Sequence, residues 1–337
     1  MRGASVKGSE TCPALLMIQV MSMLLVGMVA LMALYPSIAF SVEYNYVAHQ
    51  GKVNAKYKGN TIQAFEQAAS TEGIYGIETD IWRTRDGQYV CMHGKDTGEA
   101  SDGKNGATWA GMNVWNTDLE ELCSVEVKGY ALPTLQEYLA ICKEGGKKAF
   151  IEIKNPELAD DASYADGLVS IIHESGMLNQ CVFTSWIGRA KSVYYLKQAA
   201  LKLYGVNVPA HIGSGRTNEK VDEAIQLAKE YGLDGIGTYP GIPQQEYAYE
   251  KLQGTGLQLR STGALKNERY ARELIERYGI WALYCEFAPT LIVDDDQAVA
   301  KNASKPAFDV SATTSDAYGC VTDIVSVVVR RLVSHQT

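Results

Sequence analysis

Between about residue 43 and residue 290, short runs of β-forming residues alternate with longer stretches in which apolar residues recur every three or four positions. The short runs predict buried strands, and the longer stretches predict amphipathic helices. The predicted strands cover residues 46–49, 76–82, 148–153, 181–185, 202–208, 235–239, 257–260 and 280–286. The predicted helices cover residues 61–71, 133–143, 162–174, 188–200, 220–231, 244–253 and 268–278. Asn60 is the predicted N-cap of the first helix.

This alternation of eight strands with helices predicts the fold class. Helical connections between successive strands indicate a parallel sheet, and eight such units close into a barrel. A doubly wound open sheet is the main alternative, but no GxGxxG sequence follows the first strand. We therefore predict an α/β protein with a single (β/α)8 TIM barrel. Residues 88–93 form a return strand beside the second strand, and the polar, glycine-rich residues 94–130 form an inserted loop over one barrel end.

The first 42 residues have a different character from the barrel region. Residues 11–42 contain no charged side chain. This largely apolar stretch is long enough to span a bilayer. Arg2 and Lys7 precede it, and this charge bias places the rest of the chain outside the cytoplasm. Small residues around Ala39 also fit a signal-peptidase site. The pattern therefore predicts export, with residues 1–42 as either a cleaved signal peptide or a retained membrane anchor, residues 43–290 as the barrel, and residues 291–337 as a C-terminal extension.

Charge narrows the range of partners. The chain carries a net charge of −8 and has no basic stripe. Because nucleic-acid binding depends on clustered lysine and arginine side chains, we expect no nucleic-acid partner. Contact with a membrane is expected only through residues 1–42, if they are retained.

Polar residues at the ends of the predicted strands indicate the chemistry. The active site of such a barrel forms where the strands end. Glu78 and Asp80 are two positions apart on one strand, so both side chains point to the same face. Glu152 on the next strand adds a third carboxylate. Carboxylates that meet at one mouth need a cation between them, and Ca²⁺ or Mg²⁺ suits oxygen ligands best, with Mn²⁺ as a further candidate.

Two of the five histidines also lie at strand ends. His49 ends the first strand, and His93 ends the return strand. Imidazole side chains beside a bound cation can serve as a general base and a general acid. Together with the metal, they predict displacement at the phosphorus of an anionic substrate.

Four runs of sequence resemble the glycerophosphodiester phosphodiesterase family: VAHQG, GNTIQAFEQA, GIETDIWRTRDGQYVCMHG and FIEIK. The resemblance is strongest over residues 46–155 and extends weakly to about residue 290. It implies hydrolysis of a small-molecule or lipid-derived phosphodiester to glycerol 3-phosphate and an alcohol. It also implies a role for each site residue: His49 and His93 as acid and base, Glu78, Asp80 and Glu152 as metal ligands, and Lys154 as a phosphate contact.

Three positions depart from the family's pattern. Gln50 is a predicted substrate-binding residue. It replaces an arginine of the family pattern that would bind phosphate through two hydrogen bonds. Gly94 replaces an aspartate, and Gly59 replaces a glutamate. Lys154, Arg83 or Arg260 could supply the missing positive charge. The departures keep two alternatives open: phospholipase D-like or sphingomyelinase D-like cleavage of lysophospholipids, and a phosphodiester-binding barrel with impaired catalysis.

Overall fold

The computed structural model of this protein describes residues 43–94, 107–155, 158 and 161–290. The predicted export segment, 1–42, and the predicted C-terminal extension, 291–337, lie outside the described residues. Within the described part of the chain, no helix combines the length and the apolar character needed to cross a bilayer.

Strands and helices follow one another along the chain in the predicted order. The strands are β1 Tyr46–Ala48, β2 Ile74–Arg83, β3 Tyr89–Cys91, β4 Thr108–Trp109, β5 Met112–Asn113, β6 Lys148–Ile153, β7 Cys181–Trp186, β8 Ala210–Gly213, β9 Gly235–Thr238, β10 Gln258–Ser261 and β11 Leu283–Cys285. The helices are α1 Ile62–Ser70, α2 Leu119–Cys123, α3 Leu135–Glu144, α4 Ser163–Glu174, α5 Ala190–Tyr204, α6 Asn218–Glu230, α7 Pro243–Leu252 and α8 Glu268–Tyr278.

Eight parallel strands of the described chain form the barrel. They pair in the order β10-β9-β8-β7-β6-β2-β1-β11, while β3 pairs antiparallel with β2. Two backbone hydrogen bonds join the ends of this order, from Ser261 N to Ala282 O at 3.0 Å and from Trp281 N to Leu259 O at 2.8 Å. The predicted (β/α)8 barrel is therefore confirmed.

The strands bury both of their faces. On the outer face, Phe65 of α1 packs edge-on against Tyr138 of α3 at 5.0 Å between ring centroids. On the inner face, Val47, Phe150 and Tyr284 belong to a separate buried cluster. A strand that packs against helices outside and side chains inside must be apolar on both faces, which explains the unbroken hydrophobic runs in the sequence.

The structure corrects two of the predicted element boundaries. Asn60 is not the N-cap of α1, because the Thr61 hydroxyl accepts the hydrogen bond from Ala64 N. The predicted strand at 202–208 is also wrong: α5 continues to Tyr204, and β8 begins only at Ala210. The β-forming residues after the helix misled the prediction, whereas the real boundary is set by Gly205, which ends the helix in a left-handed conformation at φ 69°.

The inserted loop after β3 has a small core of its own in the residues described. Its β4 and β5 strands form an antiparallel pair, and α2 follows them. The Trp109 and Leu122 side chains are buried beside Trp82 of the barrel, and the Trp109 indole donates a hydrogen bond to Val125 O at 3.0 Å. The loop is therefore anchored to the barrel by packed apolar side chains.

A close approach of backbones at Gly235 gives a test of barrel packing. A Cβ atom at this position would lie 2.3 Å from the carbonyl oxygen of Gln258 on the neighbouring strand, so Gly235→Ala forces the two strands apart. We expect it to lower the free energy of unfolding by about 1–3 kcal/mol in urea denaturation. In Gly167→Ala, a matched control at an exposed position of helix α4, the new Cβ meets no atom, so the alanine should raise stability by about 0.5–1 kcal/mol. Equal effects of the two substitutions would contradict this packing.

Candidate active site

The three predicted carboxylates meet at one place. One oxygen from each of Glu78, Asp80 and Glu152 lies within 4.8 Å of the others. Strand register explains the meeting, because Asp80 on β2 is directly opposite Glu152 on β6, and Glu78 precedes Asp80 by two residues on the same face. The cluster therefore sits inside the barrel at the carboxyl ends of two neighbouring strands.

Backbone and side-chain donors hold the two deepest carboxylates in place. Glu78 and Asp80 are only 1% and 2% exposed. The backbone N–H of Gln50 donates to Glu78 at 2.8 Å, and the Asn60 amide donates to Asp80 at 2.9 Å. The Lys154 ammonium lies 3.2 Å from Asp80 and 3.0 Å from Glu152. These contacts supply the hydrogen bonds that buried carboxylates require.

Charge within the cluster is only partly balanced. Burial and the neighbouring charge of Asp80 raise the pKa of Glu78 above its usual value. Burial acts in the same direction on Asp80, but Lys154, His93 and the Asn60 hydrogen bond together hold the pKa of Asp80 below its usual value. Burial disfavours the charged form of Lys154, whereas Asp80 and Glu152 outweigh it and raise the pKa of Lys154. The cluster thus sets three carboxylates against one ammonium group, which contacts two of them.

This donor set fits a divalent cation. The site offers carboxylate oxygens from rigid strands, which are the ligands preferred by Ca²⁺, Mg²⁺ and Mn²⁺. A cation between these oxygens would neutralise the charge that now raises the pKa of Glu78. Glu78, Asp80 and Glu152 are therefore the residues that could hold a metal.

His49 lies at the edge of the same mouth, in a short 3-10 turn directly after β1. Its Nδ1 is 3.2 Å from the Glu286 carboxylate, which also accepts a hydrogen bond from Lys52 at 2.5 Å. The His49 hydrogen bond and Lys52 lower the pKa of Glu286 to about 2, so this carboxylate is ionised and can only accept. Nδ1 of His49 must therefore carry the hydrogen, which leaves Nε2 for other partners.

The protonation of His49 responds to opposing influences. Burial disfavours the imidazolium form, but the Glu286 hydrogen bond and the charges of Glu78 and Asp80 outweigh burial and raise the pKa of His49. Sequence reasoning missed Glu286 as a partner. The only signal was a carboxylate at the end of the last predicted strand, which the closed barrel brings beside the first.

His93 reaches the cluster from the return strand. Met92 N donates to Asp80 O at 2.9 Å, which fixes the chain just before His93 against β2. The His93 side chain is half-buried, and its charge is among those that lower the pKa of Asp80. The structure therefore places both predicted histidines near enough to Asp80 for their charges to act on it.

Two of the three departures from the family's pattern are in contact. Gln50 adopts a left-handed conformation at φ 55°, and its side-chain amide donates to Asp80 at 3.3 Å. A Cβ atom at Gly59 would lie 2.5 Å from Oε1 of Gln50. Glycine at 59 thus provides the space that the Gln50 side chain occupies, so the two replacements depend on each other.

Arg83 and Arg260, the other two predicted sources of positive charge, have different surroundings from Lys154. The Arg83 guanidinium lies over the β2–β3 turn beside Gly87 and interacts with Tyr89. Arg260 is inside the barrel, 1% exposed, and donates to Ser261 O at 2.8 Å, with its guanidinium 5.2 Å from the centre of the Tyr284 ring. Lys154 is therefore the predicted cation that directly contacts the carboxylates.

His211, to which the sequence assigned no role, lies on β8 inside the barrel. It is fully buried, 4.9 Å from the Trp281 ring between ring centroids. Burial and the nearby charge of Arg260 lower the pKa of His211 to about 3. This imidazole is neutral and belongs to the barrel interior.

The balance of charge in the cluster can be measured through Lys154. Replacing it in Lys154→Met leaves Asp80 and Glu152 without their ammonium partner, and we expect a loss of about 3–5 kcal/mol in the free energy of unfolding in metal-free buffer. Lys220→Met removes an exposed ion pair with Glu223 and should change stability by less than about 0.5 kcal/mol. Equal stabilities of the two variants in urea denaturation would show that Lys154 does not balance the cluster.

The sequence and the fold of this chain were compared with those of known proteins. Residues 49–172 match the Glycerophosphoryl diester phosphodiesterase family. The fold is similar to that of a glycerophosphodiester phosphodiesterase from Parabacteroides distasonis, with a TM-score of 0.55 and 16% identity over 78% of this chain and 99% of the other. A phosphodiesterase from Oleispira antarctica, solved with the product sn-glycerol-3-phosphate, gives a TM-score of 0.55 and 16% identity over 74% of this chain and 96% of the other.

A glycerophosphodiester phosphodiesterase from Agrobacterium tumefaciens gives a TM-score of 0.50 and 16% identity over 73% of this chain and 97% of the other. At 16% identity these solved structures show that the barrel fold is shared. The similarity of sequence to the family rests on the match over residues 49–172. The family whose model matches residues 49–172 is the one predicted from the sequence, a family of phosphoric diester hydrolases.

Proposed function

We propose that this protein hydrolyses glycerophosphodiesters to glycerol 3-phosphate and an alcohol, and that the reaction depends on a divalent cation. The observation that carries the proposal is the convergence of Glu78, Asp80 and Glu152 within 4.8 Å at the barrel mouth. The family match over residues 49–172 supports the substrate class. When bound, the cation would polarise a phosphoryl oxygen and offset the charge that develops in the transition state.

The two histidines are the proposed acid and base. His49 carries its hydrogen on Nδ1, towards Glu286, so Nε2 is the atom that exchanges a proton with the substrate or with water. His93 reaches the same carboxylates from the return strand. With the phosphodiester held between them, one imidazole can remove a proton from the nucleophile, which is water or a hydroxyl group of the substrate. The other imidazole protonates the departing alkoxide.

Lys154 and Gln50 are the proposed substrate contacts. The buried Lys154 ammonium is held by Asp80 and Glu152, and its remaining donor capacity suits a phosphoryl oxygen. The Gln50 amide can also donate a hydrogen bond, although it lacks the charge and the two-pronged geometry of arginine. Lys154 is therefore expected to bind phosphate more strongly than Gln50 does.

Substitutions at the site test the proposal. Hydrolysis of glycerophosphocholine should require added Ca²⁺, Mg²⁺ or Mn²⁺, and His49→Ala and His93→Ala should each lower kcat by about 10²- to 10⁴-fold. Glu78→Gln and Asp80→Asn should abolish metal-dependent turnover. His173→Ala is the matched control, since His173 lies in the last turn of α4 and stacks on Tyr204. The proposal fails if no glycerophosphodiester is hydrolysed with any of these metals, or if the site variants keep wild-type rates.

Phosphorus NMR of the product identifies the nucleophile. Attack by water gives a linear phosphomonoester, whereas attack by a neighbouring hydroxyl of the substrate gives a cyclic phosphate. We expect glycerol 3-phosphate as the first detectable product. Accumulation of a cyclic phosphate before any monoester would favour the sphingomyelinase D-like alternative.

Glu286 is proposed to orient His49. Glu286→Gln removes the charge that holds Nδ1–H in place, and we expect kcat to fall about 10- to 100-fold while KM and the melting temperature change little. Glu276→Gln serves as control, because Glu276 is exposed and accepts a hydrogen bond from Tyr44. An unchanged kcat in Glu286→Gln would remove this carboxylate from the mechanism.

A further inference from the structure

A groove opens directly beside the proposed catalytic site. It has a volume of about 440 Å³, and its lining includes Gln50 and Glu286. Gln50 contacts both Glu78 and Asp80, and Glu286 contacts His49. A molecule whose phosphodiester lay at the carboxylate cluster would therefore have this groove as the adjoining space for the rest of its structure. The volume falls within the usual range for small-molecule sites.

The groove is rich in positive charge. Lys52, Lys56, Lys58 and Lys266 line it, and among its described lining residues Glu286 is the carboxylate that faces them. Glu286 is already engaged, with His49 at 3.2 Å, Lys52 at 2.5 Å and Lys266 at 3.5 Å. The whole chain has a net charge of −8, so this groove departs from the overall charge of the molecule.

Lys56 and Lys58 are the ammonium groups of the groove with unused capacity. Both side chains are exposed, and within the described ranges neither forms an ion pair with a carboxylate. The Lys56 ammonium lies 4.8 Å from the centre of the Tyr57 ring, and Tyr57 also lines the groove. Lysines that share one concave surface repel one another unless an anion lies between them. The groove is thus suited to a negatively charged ligand.

We infer that the substrate carries a second phosphoryl group, on the alcohol esterified to glycerol phosphate, and that Lys56 and Lys58 bind this group in the groove. The inference rests on the proposed function and specifies its substrate class. One phosphoryl group lies at the carboxylate cluster, and the other is held by the lysines. The second group can be a phosphomonoester or a further phosphodiester, since both present anionic oxygens to the ammonium groups.

Two pairs of matched substrates test this inference. Glycerophosphoinositol 4-phosphate is compared with glycerophosphoinositol, and bis(glycerophospho)glycerol with glycerophosphoglycerol, so that each pair differs by one phosphoryl-bearing group. In at least one pair, kcat/KM should favour the substrate with two phosphoryl groups by about tenfold, which is the factor expected from two exposed ion pairs. The pair with the larger ratio identifies the second group as a monoester or a diester.

The lysine variants decide where the preference arises. In the Lys56→Gln/Lys58→Gln double variant, the ratio should fall to nearly one. Lys229→Gln should keep the wild-type ratio, because Lys229 lies in the last turn of α6, before the start of β9 and so at the opposite end of the barrel. Ratios near one for both pairs in the wild-type protein would overturn the inference, as would a tenfold preference that survives in the double variant.

A binding measurement separates this inference from the proposed function. Calorimetric titration compares inositol 1,4-bisphosphate with inositol 1-phosphate, and the bisphosphate should bind about tenfold more tightly to the wild-type protein but not to the double variant. If every glycerophosphodiester resists hydrolysis while this difference persists, the proposed function fails and the anionic groove stands. If hydrolysis occurs but neither substrate pair shows a preference in turnover and the bisphosphate has no advantage in binding, the proposed function stands and the groove inference fails.

Discussion

Three carboxylates at one barrel mouth, two of them buried and the third half-buried, are the constraint on which the rest of the site depends. Glu78, Asp80 and Glu152 lie where strands β2 and β6 run side by side, and their mutual repulsion must be offset for the barrel to fold. Lys154 supplies part of the balance, and hydrogen bonds from Gln50 and Asn60 supply more. Both of these residues adopt left-handed backbone conformations, at φ 55°. Such conformations cost free energy, and here they direct donors at the carboxylates.

Two of the three departures from the family's pattern, Gln50 and Gly59, form a connected change in the site. The Gln50 side chain occupies the space that Gly59 leaves free. The arginine that the family pattern has at position 50 and the glutamate that it has at position 59 are therefore replaced together. Positive charge remains at Lys154, beside Asp80 and Glu152, and at the lysines of the adjoining groove. This arrangement places further cationic groups in the groove beside the carboxylate cluster, where the rest of the proposed substrate would lie.

Local sequence signals predicted much of this structure, and long-range contacts account for what they missed. The bounds of α8 and β6 were predicted correctly, because their periodicity is strong and their ends are marked by clear boundary residues. The Glu78 and Asp80 pair could be recognised from its two-residue spacing on an apolar strand. The pairing of Glu286 with His49, in contrast, joins residues 237 positions apart. It exists only because the barrel closes, so local sequence pattern could not predict it.

The two wrong predictions, the strand at 202–208 and the N-cap at Asn60, each followed one local sequence signal where a competing signal determined the structure. The residues after α5 are β-forming, and this composition concealed the helix end at Gly205. Asn60 has a side chain suited to capping, but the adjacent Thr61 performs that role and leaves Asn60 to bond Asp80 and Thr79. The groove lysines lie in irregular segments without a periodic pattern, so only the folded chain places Lys56 and Lys266 on one surface.

The central claim is that Glu78, Asp80 and Glu152 bind one divalent cation. The most direct measurement is the anomalous diffraction of crystals grown with Mn²⁺. We predict a single strong anomalous peak at the barrel mouth, about 2.0–2.5 Å from an oxygen of each of the three side chains. A manganese ion bound elsewhere, or a mouth in which Lys154 still bridges Asp80 and Glu152 with no anomalous peak between the carboxylates, would contradict it.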